Sequence, residues 1–243
     1  MALVAFAPHA SAETSTLKMK FVYDGDAPAQ EAIDVTRDVA FCGKHDLKDE
    51  TLIVDPSTKA IQNVVVYVYT RGSNLPPQSP RNATHVLAND KCRFEPRIVV
   101  AQTGDSLKIT NPDEVGHNAN LNFFRNAAQN LMIPSSQEKV VALEEAEPAP
   151  IPVDCNIHPW MRAYVVVLEH PFAAVSDAAG EITIEGLPAG EELTFRVYHE
   201  KGKIDEVTVD GKDEDWRRSR FEVTLAPGIT DMGTIAVPAD AFD

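Results

Sequence analysis

Cys155-Asn156-Ile157-His158-Pro159-Trp160-Met161 sets a thiol, an imidazole and a thioether within seven residues. Only a tight loop aims three such groups at one point. Upstream, the polar run Asn111-Pro112-Asp113-Glu114-Val115-Gly116-His117-Asn118 follows a strand-like segment and supplies a second imidazole, His117, 38 positions before Cys155. Two His, one Cys and a weak Met are the donor set of a blue-copper electron-transfer site. Cu(I) favours soft sulfur and Cu(II) favours imidazole, so a rigid site offering both exchanges an electron with little rearrangement. Taken singly, each residue has a plainer reading: a small core thiol, a loop histidine, a packing methionine.

Outward from this loop the chain is punctuated by turn residues, and helical periodicity is almost absent. Apolar or alternating runs fall at residues 17–23, 64–69, 98–101, 107–110, 139–143, 164–168, 182–184, 193–198, 207–209 and 221–225. They are rich in β-branched and aromatic residues and bounded by Gly, Pro, Asp and Asn, which predicts an all-β protein built of sandwiches. Val64 to Tyr69 has no polar face and is expected to be a central strand covered on both sides. Arg71 to Asn82, with Pro76, Pro77 and Pro80, reads as a loop or linker. A short helical piece is expected near Phe123 to Gln129. No internal repeat is present.

The loop resembles that of the cupredoxin family, in particular its amicyanin and plastocyanin-like members: C-x-x-H-x-x-M spacing, Pro after the second His, a bulky aromatic before Met, and a Val-rich final strand, here Tyr164 to Leu168. His117 followed by Asn118 matches the family's upstream ligand. The resemblance covers about residues 93–170 and implies a Greek-key β-sandwich holding one type 1 copper. His117, Cys155 and His158 would be ligands, Met161 a weak axial ligand, and Asn118 the tie between the two ligand loops. It further implies that His158 reaches the surface through a ring of apolar residues where partners dock. Pro159 and Trp160 flank it, and Phe123, Phe124, Met132 and Pro134 are the other apolar candidates. Two departures stand out: Asn118-Ala119-Asn120-Leu121 lacks the second His often found there, and the chain is more than twice the length of a lone cupredoxin.

Past Leu168, Asp177-Ala178-Ala179-Gly180, Gly186-Leu187-Pro188-Ala189-Gly190 and the strands beside them resemble the transthyretin-like sandwich of carboxypeptidase regulatory modules, an accessory fold with no chemistry of its own. The expected organisation is an export-signal remnant at 1–12, a strand-rich region at 13–92 packed on or contributing to the copper domain, the cupredoxin domain at 93–170 and the small sandwich at 171–243. Ala10-Ser11-Ala12 has the small-residue form of a signal-peptidase site, although a basic start is missing.

At 243 residues and 44% hydrophobic, the chain can bury one large or two small cores. Its formal charge of -15 argues against nucleic acid or anionic membrane as partners. Acidity is concentrated past residue 170, where 16 acidic side chains face 7 basic, against 10 and 6 in residues 93–170. No run reaches the roughly 18 apolar residues of a membrane helix. Cys42 and Cys92 are left either as a disulfide or as two buried thiols. An oxidising compartment favours the bond, and closing that loop would stabilise by about 4 kcal/mol.

The loop holds one Cys, where a binuclear copper centre needs two. Neither neighbour of Cys155 is the histidine that wires a blue site to a catalytic copper. The expected function is therefore one-electron shuttling between periplasmic or otherwise exported redox proteins, such as a c-type cytochrome or a dehydrogenase, without substrate chemistry. The competing readings are a zinc site, a copper delivery or storage protein, and a metal-free extracellular interaction protein.

Overall fold

Strand alternation sorts the apolar residues into two separate cores. A computed structural model describes residues 13–70, 75 and 77–243. The expected leader at 1–12 and the stretches 71–74 and 76 of the Pro-rich loop lie outside the described residues. Among the described residues no helix is long and apolar enough to cross a membrane.

The first sandwich packs two sheets around Leu87, Phe94, Leu107, Ile109, Leu121, Ile133 and Val165. β3 (Thr84–Asp90), β4 (Arg93–Glu95), β6 (Ser106–Thr110) and β9 (Glu138–Ala142) form one sheet in the order β4-β3-β6-β9. β5 (Ile98–Gln102), β7 (His117–Leu121), β8 (Gln129–Ile133), β10 (Ile151–Asp154) and β11 (Arg162–Leu168) form the other, in the order β5-β11-β10-β7-β8. The pairs β3/β6 and β5/β11 are parallel, so strands distant in sequence close each sheet.

The second sandwich takes strands from both ends of the chain. β1 (Thr14–Asp24) lies between β13 (Glu181–Pro188) and β18 (Gly228–Pro238), with β15 (Glu206–Val209) and β16 (Lys212–Asp215) beyond. β2 (Val65–Val68) lies between β12 (Ala173–Val175) and β14 (Glu192–Tyr198), with β17 (Arg220–Thr224) at the edge. Residues 13–92 are thus divided: β1 and β2 belong to sheets of the second sandwich, β3 and the residues leading to β4 to the first. Gly180 shows why the turn before β13 needs glycine. Its φ is 76°, and a Cβ there would meet the Phe21 carbonyl oxygen.

The two sandwiches meet sheet to sheet. Along β11, Ala163, Val165 and Val167 face the first core, while Tyr164, Val166 and Leu168 pack on Val65 and Tyr67 of β2. Val64, Val66 and Val68 face the second core. This explains why residues 64–69 have no polar face: the segment is buried on both sides. Arg97 and Glu200 form a buried bidentate ion pair across the junction.

The helical piece expected near Phe123 to Gln129 is absent. Residues 122–128 form an irregular loop and Gln129 opens β8; the Glu147 carboxylate holds the loop by accepting the backbone N–H groups of Phe124, Arg125 and Asn126 at 2.9–3.2 Å. The one α-helix among the described residues is a four-residue turn, α1 (Val39–Cys42), in the long excursion between β1 and β2.

Candidate metal centre

His117 opens β7, while Cys155 follows β10 and begins the turn into β11. β7 pairs with β10, which brings the two segments together. The turn closes on itself: Met161 N–H donates to the His158 carbonyl at 2.9 Å, and Cys155 N–H to the Met161 carbonyl at 3.2 Å. At its base Arg162 pairs with Asp154 at 2.6 Å, opposite each other in the ladder. Asn118 joins the two segments, its Oδ1 accepting from Asn156 N–H at 2.8 Å and lying 3.5 Å from Cys155 Sγ.

Three donor atoms converge. His117 Nδ1 lies 3.0 Å from His158 Nδ1, which lies 3.7 Å from Cys155 Sγ, and the donor atoms of these three residues all fall within 4.8 Å of one another. Two imidazole nitrogens bonded at about 2 Å to one tetrahedral ion stand roughly 3.3 Å apart, so the spacing suits a shared metal. His117, Cys155, His158 and Met161 are all buried.

The outer faces of both imidazoles are taken by carboxylates. His117 Nε2 is 2.9 Å from Asp113 Oδ2, and His158 Nε2 is 2.9 Å from Asp38 Oδ2. A carboxylate only accepts, so each Nε2 carries the proton and donates it. Each Nδ1 in a neutral ring is then a bare lone pair, and the two lone pairs face each other in a buried space beside a thiol. Such an arrangement calls for a cation or a shared proton between them. Asp113 also accepts from Lys91 N–H at 2.7 Å and Cys92 N–H at 2.8 Å. Burial raises its carboxyl pKa, but the bonds from His117, Cys92 and Lys91 outweigh it and leave the value lowered. Burial likewise lowers the His117 pKa, yet Asp113 and Cys155 leave it raised. For Cys155, burial pushes the thiol up, while hydrogen bonds from His117 and His158, made when those imidazoles carry a proton at Nδ1, bring it down to about 6.

Cys42 and Cys92 form a disulfide across 50 residues, which removes the two-thiol alternative. Cys92 also stands near Asp113 and His117, but its sulfur is committed to this bond and Asp113 to the outer nitrogen, so this is no second donor set.

The expected surface port is not there. His158 has no exposed area: the rings of His117 and Trp160 lie against it, and Asp38 of the β1–β2 excursion occupies its outer nitrogen. Trp160 is partly covered, its indole N–H donating to the Cys92 carbonyl at 3.0 Å, whereas Pro159 is exposed. Of the other apolar candidates Phe124 and Met132 are exposed, at 77% and 55%, and so is Pro134, but Phe123 packs into the core. Asp38 and Asp113 were not foreseen as site residues. Asp113 had a local signal, four residues before His117 in the same polar run; Asp38 had none.

No known protein family and no curated protein matches this chain. Among solved structures it is similar to a reduced amicyanin variant, with 25% identity over 37% of this chain and 86% of that one, at a TM-score of 0.32. It is also similar to a purple cupredoxin from Nitrosopumilus maritimus, with 20% identity over 35% of this chain and 98% of that one, at 0.29. The copper-containing nitrite reductase of Thermus scotoductus SA-01 aligns at 14% identity over 42% of this chain and 25% of its own length, at 0.31.

Proposed function

We propose that this protein is a type 1 copper carrier of single electrons, in which His117, Cys155 and His158 would hold the copper and Met161 would add a weak thioether donor. The observation that carries the reading is the convergence of two imidazole nitrogens and a cysteine sulfur, all buried, on one point. Copper bound there would supply a Cu(I)/Cu(II) couple. The chain's own part is to hold the donors fixed. Asp113 and Asp38 lock the ring orientations, Asn118 ties the two ligand segments, and the sandwich keeps water out. We read the second sandwich as an accessory, transthyretin-like module. The Cys42–Cys92 disulfide supports an exported, oxidising location, and the acidic surface supports a basic redox partner such as a c-type cytochrome.

Loading the metal-free chain with Cu(II) tests the reading. Thiolate-to-copper charge transfer should give an intense blue colour, and Cys155→Ser should abolish it. A colourless, redox-silent metal complex would assign the site to zinc instead. A blue Cys155→Ser protein would overturn the ligand assignment.

A further inference from the structure

Between β1 and β2 the chain leaves the second sandwich and lies over the His158 side of the metal centre. Its fold there is built around Asp38. That residue has φ 45° and ψ 40°, a left-handed conformation in which Asp and Asn are enriched. Its carbonyl accepts from Phe41 and Cys42 N–H, both at 2.9 Å, which fixes the turn. Four residues on, Cys42 is bonded to Cys92, whose carbonyl in turn holds the Trp160 indole of the ligand loop. Further along, Ile33 N–H donates to the Leu47 carbonyl at 2.9 Å, and Glu50 pairs with Arg93 at 2.8 Å on the first sandwich. The covering segment is therefore anchored on both sides of Asp38. His158 is wholly buried, while the Asp38 side chain keeps 43% exposure.

Resting on the copper reading above, we propose that Asp38 is a positioning residue for the metal centre, and that it, not the imidazole edge, forms the surface of the site. By accepting from Nε2 it holds His158 with Nδ1 inward. Through the ring it also places negative charge behind the ligand, which favours Cu(II) over Cu(I). Asp113 does the same for His117 from inside the fold. The centre thus has an anion behind each imidazole, one internal and one delivered by a disulfide-anchored cover.

The experiment uses the full chain with Asp38→Asn, because Asn tolerates the left-handed backbone and changes little but the charge. Outer-shell partners of metal-bound histidines are worth about tenfold or more in metal affinity. The Cu(II):Cu(I) ratio at a fixed ambient potential should fall about tenfold, an upward shift of roughly 59 mV for one electron. Copper extraction by a chelator should also accelerate. A second measurement needs no metal: nitrogen-15 NMR of the metal-free wild type should show His158 protonated at Nε2, and Asp38→Gly, which removes the acceptor and tolerates the left-handed backbone, should lose that preference. A blue wild type whose Asp38→Asn variant keeps its potential and whose Asp38→Gly variant keeps its ring tautomer would overturn this proposal and leave the copper reading standing. A wild type that takes up no copper would sink that reading, and the tautomer would then decide on Asp38 alone.

Discussion

Removing the Asp113 carboxylate strands several donors at once, and the size of the effect follows from the contacts. Asp113 is buried and accepts from Lys91 N–H, Cys92 N–H and His117 Nε2–H. Lys91 sits at an exposed turn, so its N–H can turn to water. Cys92 and His117 have no exposed area, and their donors cannot. A buried donor left without a partner costs about 1–3 kcal/mol, so Asp113→Ala should destabilise the metal-free, disulfide-intact protein by about 2–6 kcal/mol. That is a large part of the roughly 5–15 kcal/mol that stabilises an ordinary domain. Asp113→Asn keeps one acceptor oxygen and should cost less than the Ala variant. Urea unfolding followed by tryptophan fluorescence is the assay. Trp160 reports on this region through its bond to the Cys92 carbonyl, and Trp216 reports on the other core. An Asp113→Ala protein within about 0.5 kcal/mol of wild type, a surface-like effect, would refute the claim that this carboxylate organises the centre.

Met161→Leu should raise the reduction potential while the site stays blue, since losing a weak sulfur donor disfavours Cu(II) more than Cu(I); an unchanged potential in redox titration would make Met161 packing only. Stability should fall between about pH 6.5 and pH 4, because burial holds His170 and His199 neutral with pKa values lowered to about 4. The unfolded chain, near 6.5, takes those protons first, so each histidine removes up to about 3 kcal/mol by pH 4. His117, whose pKa is raised, gains its proton above this window; of the lowered carboxylates, Glu147 begins to lose its contribution inside the window, near its ordinary value of 4.5, and Asp105 and Asp113 below it, from 3.8. Urea midpoints that do not move between pH 6.5 and 4.5 would contradict the assignment.

The proposed donors in the turn were legible because they are local. Cys155, His158 and Met161 lie in one turn, and a turn's residue chemistry survives in the order of the letters. Ten strands were legible as apolar or alternating runs, β2 and β11 among them by lack of alternation, since a strand covered on both faces has no polar side to display, whereas β3, β4, β7, β8, β10, β12, β16 and β18 were not. The loop at Phe123 to Gln129 was misread as helical because its conformation is set by Glu147, some twenty residues away, and not by its own pattern.

By itself, then, the sequence determined the all-β sandwich class from short-range periodicity, and a motif resemblance pointed to the candidate ligand turn and to His117 upstream. Only the tertiary structure decided which sandwich β1 and β2 serve, because β1 finds partners at Glu181–Pro188 and Gly228–Pro238, and strand pairing over such distances leaves no local trace. Tertiary structure alone also decided that His158 is covered. Asp38 is one of 37 acidic residues, 120 positions from the imidazole it meets. Nothing in its neighbourhood marks it. It becomes part of the centre because the chain between two strands of one sandwich folds over the other and is fixed there by the Cys42–Cys92 bond.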